Sequence, residues 1–176
     1  MSSRVVIKLG GGLITDKGSM KKFDPDSVER VADSISSIVG MGVPVVIVHG
    51  AGSFGHLLAK EWSISKGVDQ KIAKEQRMIV EEIRSDMREL NGLVIDRLSD
   101  SGLQSEGLPP SEWAIGTGSG FKGDITNFER VVEAPIPITF GDVVDTNDQQ
   151  EFGILSGDDL MVCLLYTSDA ADERQS

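Results

Sequence analysis

One stretch limits the fold more than any other: His49-Gly-Ala-Gly-Ser-Phe-Gly-His56, which the chain's two histidines bracket. The apolar, β-branched run Val43-Pro-Val-Val-Ile-Val48 precedes it and reads as a buried parallel strand. Leu57-Leu58-Ala59-Lys60 follows it and reads as a helix start. Strand, glycine loop and helix in this order aim backbone N–H groups and the positive end of a helix dipole at an anion, typically a phosphate. A second glycine stretch, Lys8-Leu-Gly-Gly-Gly12, follows the apolar Val5-Val6-Ile7. Two such loops at two strand ends predict one shared phosphate-handling crevice.

The length of 176 residues suits one domain with a real core, or part of a larger one. A net charge of −11 argues against nucleic acid, whose phosphates require a basic footprint. No apolar stretch has membrane-spanning length, and the N-terminus lacks a signal-peptide core, so no membrane partner is expected. The single cysteine, Cys163, cannot close an internal disulfide, which points to a cytoplasmic protein. No Cys/His cluster has metal-ligand spacing, so the metal expected is Mg²⁺ arriving with a nucleotide.

Arg4 to Lys8 reads as the first strand. Asp24-Pro25 supplies an N-cap and a proline at the first helical position. Val28, Val31, Ala32, Ile35, Ile38 and Val39 recur at helical spacing, predicting an amphipathic helix over 25–39 that Gly40 and Gly42 end. With the strand at 43–48 this makes a βαβ unit and a parallel sheet. A short helix is predicted near 54–61 and a long one from about Asp69 to Leu98. In the long helix Ile72, Ile79, Ile83, Leu90 and Val94 form one stripe, widened by Met78, Val80 and Met87. The stripe reads as core, and its wider part as a wall for a small apolar pocket.

Gly102 to Pro110 reads as a loop in which Pro109-Pro110 exclude a helix. Trp113–Ile115 and Phe121–Thr126 around a glycine-rich turn predict a hairpin. Pro137–Phe140 reads as a short buried strand ending at Gly141-Asp-Val-Val-Asp145. Ser156-Gly-Asp-Asp159 reads as a strand-end loop with a helix N-cap.

Gly50, Gly52 and Gly55 satisfy G-x-G-x-x-G, and Asp69 lies near the spacing of a ribose-binding acid, which admits an NAD-dependent oxidoreductase. No strand is predicted between 56 and 69 to present that acid, and Lys8–Gly12 is left without a role. Phosphoryl transfer accounts for more of the chain, because it requires positive charge and tight positioning rather than covalent help. Lys8 at a strand end and Lys17 shortly after it supply charge. Neither loop fits G-x-x-x-x-G-K-[ST], which argues against a P-loop. His49 reads as a packed residue bonded to backbone, and His56 as a donor to a phosphate oxygen at a helix start. Asp158 and Asp159 read either as an acidic first turn or as the orienting group for a lysine or nucleotide.

Ile7-Lys-Leu-Gly-Gly11 with Asp16-Lys17, Val48-His-Gly-Ala-Gly-Ser-Phe-Gly-His56 and Leu155-Ser-Gly-Asp-Asp159 together resemble the amino-acid-kinase superfamily, and within it the isopentenyl phosphate kinases. The resemblance covers about residues 4–162. It implies an α/β fold, an αβα sandwich around a mainly parallel sheet, and ATP-dependent phosphorylation of isopentenyl phosphate to the diphosphate for isoprenoid synthesis. A fosfomycin-type kinase of small phosphonates, which shares the histidine loop, is the alternative within the class.

Carried over by position, Lys8, Leu9, Gly10, Gly11, Gly12 and Gly52 would meet ATP, with Mg²⁺ accompanying the nucleotide. Lys17 and Lys8 would stabilise the transferring group, and Asp158 would arrange the lysines. Ala51, His56 and Gly157 would hold the substrate phosphate, and Met78, Ile79, Ile83 and Met87 its apolar tail. The resemblance also implies a homodimer when intact. Gly12 stands where relatives often have serine, and Ala51 where glycine is frequent; both are small.

The superfamily carries a second, adenosine-binding lobe after the Ser-Gly-Asp-Asp motif, and this chain ends before one. Residues 1–162 are therefore expected to be the phosphate-acceptor lobe. The stretch 163–176 resembles a translated sequencing adapter and is expected to be a non-native tail.

Overall fold

The computed structural model describes residues 4–16 and 18–173, with side chains up to residue 165. Elements follow in the order β1 (Val5–Leu9), α1 (Gly11–Ile14), α2 (Pro25–Gly40), β2 (Val45–His49), α3 (Gly52–Glu61) and α4 (Ala73–Asp100). Next come β3 (Ser105–Gly107), α5 (Pro110–Trp113), β4 (Ala114–Ile115), β5 (Lys122–Gly123) and β6 (Ile136–Phe140). The described chain closes with β7 (Asp142–Asp145), β8 (Phe152–Leu155) and α6 (Gly157–Glu173).

The main sheet has the order β1-β2-β6-β3 with every neighbouring pair parallel, as the βαβ pattern requires. Successive β2 residues face opposite sides. Val45 and Ile47 join the core beneath α2, α3 and α4, whereas Val46 and Val48 join a second cluster with Leu160 and Leu164 of α6. Helices thus cover both faces, which is why all five β2 residues are buried. The result is the α/β sandwich around a parallel sheet that the sequence predicts.

Local chemistry sets most boundaries. The Asp24 carboxylate accepts from the Ser27 N–H at 3.2 Å, and Pro25 occupies the first turn of α2. In α6 the Ser156 Oγ accepts from the Asp159 N–H at 3.1 Å, while Asp159 Oδ2 accepts from the Ser156 N–H at 2.9 Å. This is a reciprocal cap with Asp in the usual Glu place. The predicted hairpin is present as the antiparallel β4–β5 pair.

Three expectations are corrected. Pro109-Pro110 do not exclude a helix: α5 begins at Pro110, where a missing N–H costs nothing. The loop before it contains β3, whose residues Ser105 to Gly107 pair with β6. In α4 the buried face runs through Val80, Ile83, Met87, Leu90, Val94 and Leu98. Ile72, at 37% exposure, stands just before the helix as its N-cap residue, and Met78, at 66%, lies off this face because a turn of about 100° per residue carries it away from the sheet.

The domain edge expected at 162 falls inside α6. Leu164 is fully buried, and its carbonyl accepts from Arg4 Nη2 at 2.7 Å. Among the described residues no helix is long and apolar enough to cross a membrane.

Candidate functional site

The carboxyl ends of β1, β2 and β6 each run into glycine, at Gly10, Gly50 and Gly141. Backbone hydrogen bonds lace the three ends together: Gly50 N–H donates to Leu9 O and Gly141 N–H to His49 O, both at 3.0 Å. Ligands of open α/β sheets bind outside such strand ends.

The two glycine loops interlock backbone to backbone. A Cβ on Gly11 would stand 2.2 Å from Gly52 N, and one on Gly52 would stand 2.1 Å from Thr15 Oγ1. Gly52 also takes a φ of +50°, in the left-handed region. No side chain fits between the loops, so they share one crevice. An open pocket of about 390 Å³ results, lined by Gly11, Gly12, Ala51, Gly52, Ser53, His56 and Leu57. It lies at the N-terminus of α3, where the helix dipole favours an anion. His56 is exposed on α3, and its ring is among the pocket-lining groups.

Lys8 leaves β1 on the other side of Gly10, and its Nζ is ion-paired with Asp158 Oδ1. The pair is solvent-accessible, with side-chain exposures of 35% and 82%. A Cβ on Gly157 would sit 3.6 Å from Lys8 Cε and 3.6 Å from His49 O, which is ordinary contact. The N-terminus of α6 therefore adjoins the ends of β1 and β2.

The two acidic neighbours divide their work: Asp159 caps α6 and Asp158 holds the lysine. Leu9 is 2% exposed, its side chain in the core and its carbonyl taken by Gly50, so its side chain does not face the crevice. Gly10 lies at the N-cap of α1 with open space where a Cβ would be. Lys17 lies outside the described residues. Around it, Asp16 Oδ1 accepts from Gly18 N–H at 2.9 Å, and Asp16 N–H donates to Lys22 O at 2.8 Å. The Gly18 N–H and then Lys22 hold the Asp16 carboxyl below its ordinary value.

Of the apolar set, Ile83 and Met87 approach the glycine loop. A Cβ on Gly55 would be 3.1 Å from Met87 Sδ and 3.6 Å from Ile83 Cγ2. Ile79 packs against the core from a partly buried position, and Met78 is largely exposed.

His49 is fully buried, stacked on Phe140 at 5.1 Å, with Nδ1 3.1 Å from Gly50 O and Nε2 3.1 Å from Asn91 Oδ1. Burial pushes its pKa down, so the neutral ring is favoured. It is the packed, backbone-bonded residue the sequence predicts. Asp69 accepts from the Lys71 N–H in a turn before α4 and follows no strand, so the ribose-acid reading has no structural support.

Sequence reasoning passes over two groups. Ser53 lines the pocket and is hydrogen-bonded to Thr15 Oγ1 through its own N–H at 3.0 Å. Lys21 pairs with Asp86 and Glu89, which hold its ammonium above the ordinary value. Ser53 is legible as the small polar residue of a glycine loop, whereas Lys21 has no local signal, since its partners are remote in sequence.

Known proteins resemble this chain over most of its length. The amino acid kinase family model matches residues 3–171. The isopentenyl phosphate kinase of Methanothermobacter thermautotrophicus is 32% identical over 162 residues, covering 89% of this chain and 60% of that protein. That of Thermoplasma acidophilum is 30% identical over 158 residues, covering 89% and 60%. A solved isopentenyl phosphate kinase structure superposes with a TM-score of 0.79 at 31% identity, covering 90% of this chain and 65% of that one. A substrate complex of such an enzyme superposes with a TM-score of 0.74 at 28% identity, covering 90% and 62%. The chain spans about 60% of the length of these curated relatives. On fold, motif placement and family match together, the chain belongs to the amino acid kinase family.

Proposed function

We propose that the intact protein transfers the γ-phosphoryl group of ATP to isopentenyl phosphate, giving isopentenyl diphosphate and ADP. The observation that carries this is the pocket where both glycine loops meet with His56 on its wall, together with the Lys8–Asp158 pair that joins β1 to the start of α6. The named activity of the relatives supports it.

The acceptor phosphate is already an anionic nucleophile, so no protein base is required. One of its oxygens attacks the γ-phosphorus in line; that P–O bond forms as the bond to the β-phosphate oxygen breaks, and ADP carries away the electron pair. Ala51, Gly157 and His56 hold the acceptor phosphate, the imidazole donating to an oxygen. Lys8 and Lys17 neutralise charge on the moving group, and Asp158 fixes the Lys8 ammonium between turnovers. The Gly10–Gly12 and Gly52 backbone approaches the nucleotide phosphates, for which a loop free of side chains is fitted. Bound together with the nucleotide, Mg²⁺ would supply further charge neutralisation at its phosphates. Ile83 and Met87 bound the apolar tail. Residues 1–162 act as the acceptor lobe, in a cytoplasmic enzyme that is a homodimer when intact.

The test is ADP release by a product that carries this chain at the full length of its curated relatives. Turnover with isopentenyl phosphate is expected, and turnover with fosfomycin alone overturns the proposal. In that product His56→Ala removes one hydrogen bond to a charged oxygen and should raise KM for isopentenyl phosphate about 10–100-fold. An unchanged KM would remove the histidine from the site.

A further inference from the structure

Lys21 has no part in the reaction above, yet three elements converge on it. Its backbone is left-handed, with φ +49°, and its N–H donates to Ser53 O at 3.2 Å. Its Nζ lies 2.8 Å from Asp86 Oδ1 and 2.6 Å from Glu89 Oε2, and 5.9 Å from the centroid of the Phe54 ring. Asp86 is only 9% exposed, so without the lysine α4 would bear a nearly buried, uncompensated carboxylate.

Ser53 receives the hairpin at three atoms. Besides the Lys21 bond to its carbonyl, its Oγ accepts from Lys22 N–H at 3.3 Å, and its own N–H donates to Thr15 Oγ1 at 3.0 Å. The hairpin is itself closed by a bridge between Thr15 and Phe23. Ala51, the N-cap of α3, makes no side-chain capping bond, so these contacts add to the burial of Phe54 in holding the first turn of that helix. Ser53 and His56 of the same helix line the pocket.

We propose that Lys21 is a positioning residue: by tying the 15–23 hairpin to Asp86 and Glu89 of α4, it holds the first turn of α3 and with it the Ser53–His56 wall of the pocket. An exposed lysine pair commonly contributes little. Here one carboxylate is nearly buried, and the lysine backbone bonds directly to the pocket wall. Which ligand feels the effect rests on the acceptor-phosphate reading; the mechanical role does not.

The experiment is amide hydrogen exchange on the 176-residue chain, with Val46 to Val48 of β2 as the internal reference. Lys21→Met should lower protection at Lys22, Ser53 and Phe54 by about tenfold or more with β2 unchanged, and Lys21→Arg should restore it. Isopentenyl phosphate titrated into the same proteins should bind about tenfold more weakly to Lys21→Met. Unchanged exchange at Ser53 and Phe54 overturns the proposal, as does measurable binding of equal strength by wild type and Lys21→Met. Lost protection with no binding even by wild type upholds the positioning role and overturns the acceptor reading instead. Should Lys21→Met loosen β2 as well, Glu89→Gln decides: a selective loss at Ser53 and Phe54 supports the role, and no loss overturns it.

Discussion

Asp142 follows the glycine at the end of β6, and its environment is unlike that of the other carboxylates. It is 3% exposed, Oδ1 accepts from the Val143 N–H at 2.9 Å, and the Ser111 side chain is a further hydrogen-bonding neighbour. Burial pushes its pKa up to about 6, outweighing the Val143 N–H, the charges of Arg84 and Arg88 and the Ser111 side chain. The folded state therefore favours the protonated acid. Its stability is full below the ordinary value of 3.8, falls as pH rises toward about 6, and stays lowered above that. The penalty is on the order of 3 kcal/mol. Asp142→Asn keeps an acceptor for the Val143 N–H and cannot ionise, so its melting temperature should fall less between about pH 4 and 6.5. Parallel curves for wild type and variant would contradict the assignment. Nothing in Gly141-Asp142-Val143 announces this burial; it comes from α4 and α5 packing onto β7.

Among the elements, the glycine loops were legible and their fit to each other was not. Apolar strands ending in glycine are a local pattern, since positive φ and close approach both require a missing Cβ. That Gly11 meets Gly52 across the sheet follows from the Leu9–His49 register, which brings the two loops side by side. Gly52→Ala combines a left-handed strain with a 2.1 Å clash at Thr15 Oγ1, and should cost about 2–4 kcal/mol of stability by chemical denaturation. Gly10→Ala, with open space at its Cβ, is the control and should leave the midpoint nearly unchanged. Equal effects of the two would contradict the interlock. The same limit explains α4: its existence was readable from periodicity, whereas Ile72 falls just before the helix start and Met78 lies off the buried face, because only packing selects which stripe meets the sheet.

At the scale of the molecule, the strand ends of β1, β2 and β6 gather the two glycine loops on one side of the sheet, and β1 lies at the sheet edge with Val5 36% exposed. The 176 residues alone are expected to bind isopentenyl phosphate weakly and to release no ADP above background in a coupled assay. Full turnover by this chain would overturn that expectation. Unpaired strand edges favour association, so light scattering should increase with concentration.

The sequence by itself determined what is local. Strand and helix periods, the Asp24-Pro25 and Ser156–Asp159 caps, and the glycine loops around His56 all act through dihedral preference and near-neighbour bonding. Tertiary structure alone decided the pairing of Lys21 with Asp86, the burial of Asp142, the contact of Met87 with Gly55 and the assignment of Asp158 rather than Asp159 to Lys8. Each of these joins residues far apart in the chain, and their meeting depends on which surfaces the sheet and helices bring into contact, a quantity that no local spacing encodes.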